Sequence, residues 1–473
     1  MKESRLAVND LATLQSSLKM KSRSMGVKLI IVCGLAILMT IPALFVGALV
    51  EDRTQRQAEV TKEISSHVGG QQTFLGPTLV VPYDVPPQSP ADHARHGIYL
   101  VFPARASATI TTVTEERRRS LFRVPVFQAD VKFDASFDLT GVPAMPPPGA
   151  ELDWSRAQIV VGVSDARGAL ADAVLTRDGT TSTLVPAETT NLSLDADHGD
   201  HLKLTLFGAR IEGAADSNAQ FNVSSTLRFS GAQRIAVLAY GKTTHVSVQG
   251  DWPSPGFDGG FLPVNRSVSG KGFTAEWSVP FIARGVRAEG QADAITGLDA
   301  TALGVSFIEV ADPYQSVNRS LKYVLLFLGL LFLSYFVFEV TSGKRVHPAQ
   351  YLLVGVAQII FYLLLLSIAE RVGFGAGFLV AGVATVVLLS ANAVWVFSSR
   401  VQGARALVVF SMLYALIYLL LRIEDNALLV GAIASFLAVA AAMYFTRNID
   451  WYGSLPVSGV GAQPLAPDVP RGA

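Results

Sequence analysis

KRVHPAQYLLVGVAQIIFYLLLLSIAE, residues 344–370, is the stretch on which the fold turns. A helix needs about 20 predominantly apolar residues to cross a hydrocarbon core of roughly 30 Å, and 349–369 supplies that length. The same run carries Gln350, Tyr351, Gln358 and Tyr362, which lipid-facing positions disfavour. It reads as a transmembrane helix with one polar side. The question it raises is whether that side does chemistry or transport, or only packs.

Composition supports the membrane reading. The chain has 473 residues, half of them hydrophobic and only 16% charged, against about a quarter in ordinary globular domains. Six segments have the length and apolarity of a span: 27–49, 322–340, 349–369, 374–397, 404–421 and 427–446. Lys19, Lys21, Arg23 and Lys28 before the first, with Val46-Gly47-Ala48 near its end, also suit a signal peptide. Its apolar run is longer than the 7–15 residues of such a segment, which favours an uncleaved anchor.

Orientation follows from Lys and Arg. The first 28 residues hold Lys2, Arg5, Lys19, Lys21, Arg23 and Lys28 against Glu3 and Asp10. With that end cytoplasmic, the basic connections at Lys344/Arg345 and Arg400/Arg405 are cytoplasmic too, as is Arg447. Six crossings then predict a cytoplasmic segment 1–26, a first span 27–49, and a periplasmic β-rich domain over 50–321. A five-helix membrane domain over 322–446 and a cytoplasmic Pro/Gly-rich tail over 447–473 follow. The expected fold is thus a mixed α and β membrane protein.

The external block changes its pattern after EDRTQRQAEVTKEISSHVGG (51–70), a polar helical extension with a stop at Gly69-Gly70. Nine runs then alternate apolar and polar residues between Gly/Pro/Asp turns, among them TLVVPYDV, FRVPVFQADVKFDASFDLTG and FTAEWSVPF. Short strands at such spacing predict an antiparallel sandwich or barrel-like sheet. If the block has two lobes, Pro143 to Pro148 is the expected seam. FDASFDLTG (133–141) loosely resembles FNVSSTLRFSG (221–231), and Val-Asn-Arg-Ser occurs at both 264–267 and 317–320. Neither similarity is enough to claim a duplication.

Chemistry finds little support. Cys33 is the one cysteine, so no disulfide framework exists within the chain. Zero formal net charge gives no argument for a nucleic-acid partner. Asp195, Asp197, His198, Asp200 and His201 form the densest set of metal-ligating types, but in a Gly/Asp-rich turn that reads as a solvated connection. His93 and His96, in a Pro/Ser/Ala loop, read the same way. Ser164-Asp165-Ala166-Arg167-Gly168 fails the serine-elbow spacing and reads as a polar turn with an Asp–Arg contact. Glu115 to Arg119 reads as a solvated hairpin tip. No enzyme activity and no cofactor are expected.

The membrane polar residues fall into two stripes. Tyr351, Gly355, Gln358 and Tyr362 share one face of the third span; Ser411, Tyr414, Tyr418 and Arg422 share one face of the fifth. Two polar stripes are expected to face each other or a common interior. Structural packing is the favoured reading, because Glu339, Glu370 and Arg422 lie near span ends, where long side chains snorkel. A transporter or channel path through Gln358, Tyr362, Tyr418 and Arg422 is the alternative.

His347-Pro348-Ala349-Gln350-Tyr351-Leu352-Leu353-Val354-Gly355 resembles the hallmark of the CreD family of bacterial inner-membrane proteins. Thr446-Arg447-Asn448-Ile449-Asp450-Trp451-Tyr452 is similar to its second signature. Asp312-Pro313-Tyr314-Gln315 with Arg319-Ser320 and Lys322-Tyr323 resembles the lead-in to its second span. Trp252-Pro253-Ser254-Pro255, Gly260-Phe261-Leu262-Pro263, Gly76-Pro77 and Ser164 to Gly168 resemble its external-domain motifs. The resemblance covers about 25–452. It implies a cell envelope integrity protein of the Gram-negative inner membrane, associated with the CreBC two-component system and with responses to colicin and cell-wall stress. It also implies an envelope protein partner and carries no catalytic residue. Within the hallmark, His347-Pro348 is expected to start the helix, and Gln350 and Tyr351 to sit at the membrane interface.

Overall fold

In the computed structural model, the residues described are 25–86, 95–140, 142, 148–194, 202–211, 220–292, 295–307, 313–422 and 427–447. They divide into a helical unit, up to Thr54 and from Ala311, and a β-rich unit over Gln55–Val310.

Nine helices are described: α1 Met25–Leu38, α2 Thr40–His67, α3 Phe281–Arg284, α4 Pro313–Lys322, α5 Val324–Ser342, α6 Pro348–Val372, α7 Phe374–Phe397, α8 Arg400–Arg422 and α9 Ala427–Thr446. Five stretches are long and apolar enough to cross a membrane: Gly26–His67, Val324–Ser342, Pro348–Val372, Phe374–Phe397 and Arg400–Leu421. The apolar part of α9 measured this way, Leu429–Tyr444, falls short of that criterion. The first span is broken at Met39, between α1 and α2. Pro42 explains the break, since it has no N–H to offer the Leu38 carbonyl one turn back.

The polar extension of α2 ends where the two glycines were expected to stop it. Gly70 N–H donates to Ser65 O at 2.7 Å, and Gly69 and Gly70 take φ of +91° and +61°. A Cβ on Gly69 would lie 2.5 Å from Gly168 Cα, so only glycine fits. The buried Gln72 amide then donates to Gly69 O (2.7 Å) and Asp165 O (3.0 Å), tying this turn to the sheet.

Each of the nine alternating runs supplies a strand among the described residues. With the other described strands they form two mostly antiparallel sheets, one of ten strands and one of eight. Strand Gln72–Val85 is central to the first sheet, antiparallel to Gln158–Val163 and parallel to Arg234–Leu238. The second is built around Arg105–Arg119, Phe122–Asp138 and Gln220–Ala232. Inner-face aromatics from both sheets meet: Phe74 packs on Phe229 at 5.5 Å between centroids, and Phe127 on Phe307 at 5.0 Å. One core spans both sheets, so the Pro143–Pro148 region is not a seam between lobes. Residues 143–147 themselves lie outside the described set. The similar runs 133–141 and 221–231 belong to partner strands, Phe137 opposite Phe221 with rings stacked at 5.1 Å.

Several family-like motifs have packing roles in this core. Gly76 lies against the Tyr240 ring, where a Cβ would approach to 2.5 Å. Trp252 packs edge-on to Phe307, and Trp277 Nε1–H donates to Phe261 O at 3.0 Å. Sequence reading missed strands Arg234–Leu238 and Ala302–Phe307. RIAVL is buried along its length and has no polar face to mark a period of two.

Candidate functional site

The polar interior of the helix bundle is arranged in three layers. At one end, Glu339 of α5 is fully buried. Its carboxylate is ion-paired with Lys28 of α1, and it accepts from Tyr351 O–H at 2.8 Å and Val346 N–H at 3.0 Å. Lys28 also donates to Val346 O. A buried carboxylate without such partners would be expensive; here a cation and two further donors face it. His347 caps α6: its Nδ1 accepts from Ala349 N–H at 3.2 Å, and Pro348 takes the first turn, where no N–H is needed.

Two expectations change at this layer. Glu339 does not snorkel from a span end; it is the hub of the layer. Tyr351, in the first turn of α6, turns its ring inward. It is wholly buried between Phe332 and Tyr335, at centroid distances of 5.9 and 6.2 Å, with its hydroxyl committed to Glu339. Gln350 is half-buried. A carboxylate inside an apolar run demands a cation, and that was the available signal. The sequence names no partner, because Lys28 lies 311 positions away.

The middle layer holds two bonded pairs. Tyr335 O–H donates to Leu389 O at 3.1 Å and accepts from Asn392 Nδ2–H at 2.9 Å. Tyr414 O–H of α8 donates to Gln358 Oε1 of α6 at 2.7 Å. Tyr351, Gly355, Gln358 and Tyr362 all point inward and are buried. The second stripe is mixed: Tyr414 is buried, Tyr418 half-buried against the Phe378 ring at 5.3 Å, and Ser411 exposed. The Arg422 side chain lies outside the described residues. Gln358 Nε2 is buried and makes no hydrogen bond of good geometry among the described residues.

At the far end, Glu370 of α6 accepts from Tyr314 O–H of α4 at 3.0 Å, and Arg53 Nε of α2 stands 3.9 Å away. Tyr351 and Glu370 are 19 residues apart on α6, about 28 Å along its axis. That length is comparable with the roughly 30 Å of a hydrocarbon core. The first helix segment is ion-paired at both carboxylate layers: Lys28 to Glu339 and Arg53 to Glu370.

The remaining sequence candidates are structural or undescribed. Ser164 Oγ donates to Gln71 O and accepts from Thr73 N–H, both at 2.9 Å. Arg167 Nη2 lies 2.6 Å from Asp165 Oδ2, and this bond holds the Asp165 carboxyl below its ordinary range. Glu115 to Arg119 form the end of a strand paired with Phe122–Val126, and Arg119 ion-pairs with Glu63. His96 Nδ1 is in hydrogen-bond contact with Asp84 Oδ1. Asp195, Asp197, His198, Asp200, His201, His93, Asp450 and Trp451 lie outside the described residues. Arg447 stacks over the Tyr444 ring at 4.4 Å. Among the described residues no group of three or more His, Cys, Asp or Glu could hold a metal.

One buried cation in the β-rich unit escaped sequence reading. Arg284 Nε–H donates to Ala239 O at 2.7 Å, and the guanidinium lies 4.2 Å over the Phe102 ring. Burial pulls it down to about 10. Carbonyl and ring face solvate it in place of a carboxylate.

Comparison with known proteins agrees with the motifs. The family model described as inner membrane protein CreD matches residues 24–452. The chain is 29% identical over 430 residues to inner membrane protein CreD of Escherichia coli K12, covering 89% of this chain and 93% of that one. The chain belongs to the CreD family.

Proposed function

From membership in the CreD family as premise, we propose a non-enzymatic inner-membrane protein that contributes to envelope integrity and the envelope-stress response. The bundle acts as a rigid anchor and the β-rich domain as the part that meets an envelope protein partner. A regulatory association with the CreBC system belongs to this proposal through the family resemblance. The supporting observation is that the bundle's buried carboxylate, Glu339, is committed to Lys28, Tyr351 and Val346. A carboxylate held by three internal donors is built for packing, not for binding a passing solute.

The finer topology belongs to the same proposal. The 20 residues of α9 just meet the length for a sixth span. Six crossings put both termini in the cytoplasm and the domain after α2 in the periplasm. Alkaline phosphatase fused at Ser217 should be active, and fused after Tyr452 inactive. Activity in the reverse pattern would sink the topology.

A second reading, a carrier or channel, is favoured by one observation: the buried Nε2 of Gln358 makes no hydrogen bond of good geometry among the described residues. The Gln358→Leu variant separates the two. As packing, the Tyr414–Gln358 bond is worth well under ~1 kcal/mol, the average for such bonds in membrane helices. Protein level and envelope-stress complementation should both survive. An inserted, abundant but functionless variant would favour the carrier instead.

A further inference from the structure

The helical unit carries a long apolar groove between α5, α8 and α9. Its volume is about 1110 Å³, above the roughly 300–1,000 Å³ of ordinary small-molecule pockets. Val337, Val409, Leu416 and Ala438 are among its walls, and its lining is overwhelmingly apolar. At one end stand Thr341 and Arg405. Arg405 is exposed and makes no ion pair among the described residues. From Arg405 to Leu419 the groove follows 14 residues of α8, about 21 Å. One leaflet's share of the hydrocarbon core is roughly 15 Å, so the groove has the depth of one leaflet plus its interface.

We propose that this groove holds one anionic glycerophospholipid, with acyl chain between α5, α8 and α9 and its phosphate on Arg405. Charge complementarity selects the occupant. An apolar trough alone takes any acyl chain, but an unpaired guanidinium at its mouth prefers a headgroup with net negative charge. Lys344 and Arg345 in the connection after α5, and Arg400 at the start of α8, are exposed on the same side of the helical unit and strengthen the local attraction. A guanidinium also bonds phosphate through a planar fork, which a lysine could not reproduce. The inference concerns the leaflet at the Arg405 end. It rests on the membrane reading; which compartment that end faces is tested separately by the reporter fusions.

The test is native mass spectrometry of the full chain, released from vesicles containing phosphatidylglycerol and phosphatidylethanolamine with identical acyl chains. The wild type should retain phosphatidylglycerol about fivefold more than phosphatidylethanolamine, the selectivity expected of one basic residue at the headgroup. R405Q should lose that preference while keeping the wild-type unfolding temperature in detergent. Ala438→Trp, which fills the trough, should lower retention of both lipids. Several results would overturn the proposal. These are equal retention of the two lipids by the wild type, a preference unchanged in R405Q, or a preference lost only in the double variant K344Q/R345Q. Retention of a second copy of the chain in place of lipid would also overturn it.

Discussion

Lys28→Met should lower the unfolding free energy by roughly 3 kcal/mol, the low end of the cost of breaking a buried pair. The low end applies because the Lys28 side chain keeps 17% of its exposure, while Glu339 keeps none. Without the ammonium, Glu339 faces Tyr351 and Val346 as a buried carboxylate with no cation. The first span also loses one of its two ion-paired attachments to the bundle. The measurement is the unfolding temperature of the full chain in detergent, together with its steady-state level in the membrane. Lys28→Met combined with Glu339→Gln should recover most of the loss. The glutamine oxygen still accepts from Val346 N–H, its amide N–H faces the Tyr351 hydroxyl as a donor, and no charge is left unmatched. A Lys28→Met protein as stable and abundant as wild type would show that the pair does not hold the span.

Tyr240→Ala carries the second large effect, at the centre of the β-rich domain. Tyr240 is fully buried, and its ring meets Phe133 edge-on at 5.5 Å. Its hydroxyl donates to Ser107 O at 2.7 Å, and burial pushes the phenol well above its ordinary range, so it stays a neutral donor. Truncating such a ring costs about 3–5 kcal/mol, most of it transfer and cavity. For a domain of this size that should lower the midpoint by roughly 10 °C. Tyr240→Phe isolates the hydroxyl and should cost only about 1 kcal/mol. Gly76→Ala should cost about 1–3 kcal/mol by forcing a methyl against the ring. Gly76→Ala added to Tyr240→Ala should then cost almost nothing more, since the clash has gone. Additive losses would mean that the Gly76-Pro77 motif serves something other than this contact.

The helices and the strand runs could be read because their signals are local. A run such as 349–369 is predominantly apolar over the length a bilayer needs, and the chain at 106–111 alternates with a period of two. The site was legible by half. Spacing alone puts Tyr351, Gln358 and Tyr362 on one face, and they are buried together. Spacing could not reveal that Glu339 sits at the hub, since its partner Lys28 belongs to a different helix. Counted only as part of a basic N-terminus, Lys28 predicts orientation and nothing more.

The repeated tetrapeptide shows where the division falls. Val-Asn-Arg-Ser at 264–267 runs from a loop into the exposed edge strand Asn265–Ser269, with Val264 69% exposed. At 317–320 the same four residues lie in the amphipathic helix α4, with Val317 fully buried. Four residues make too few contacts to choose between strand and helix, so the neighbours choose: strand Gly272–Val279 beside the first, α6 and α8 beside the second. Which segments are apolar enough for a bilayer and which alternate as strands is written along the chain, because those properties are periodic and sum over many residues. Which buried charge meets which cation, and which glycine meets which ring, emerges only on packing, because each is a single contact between distant positions.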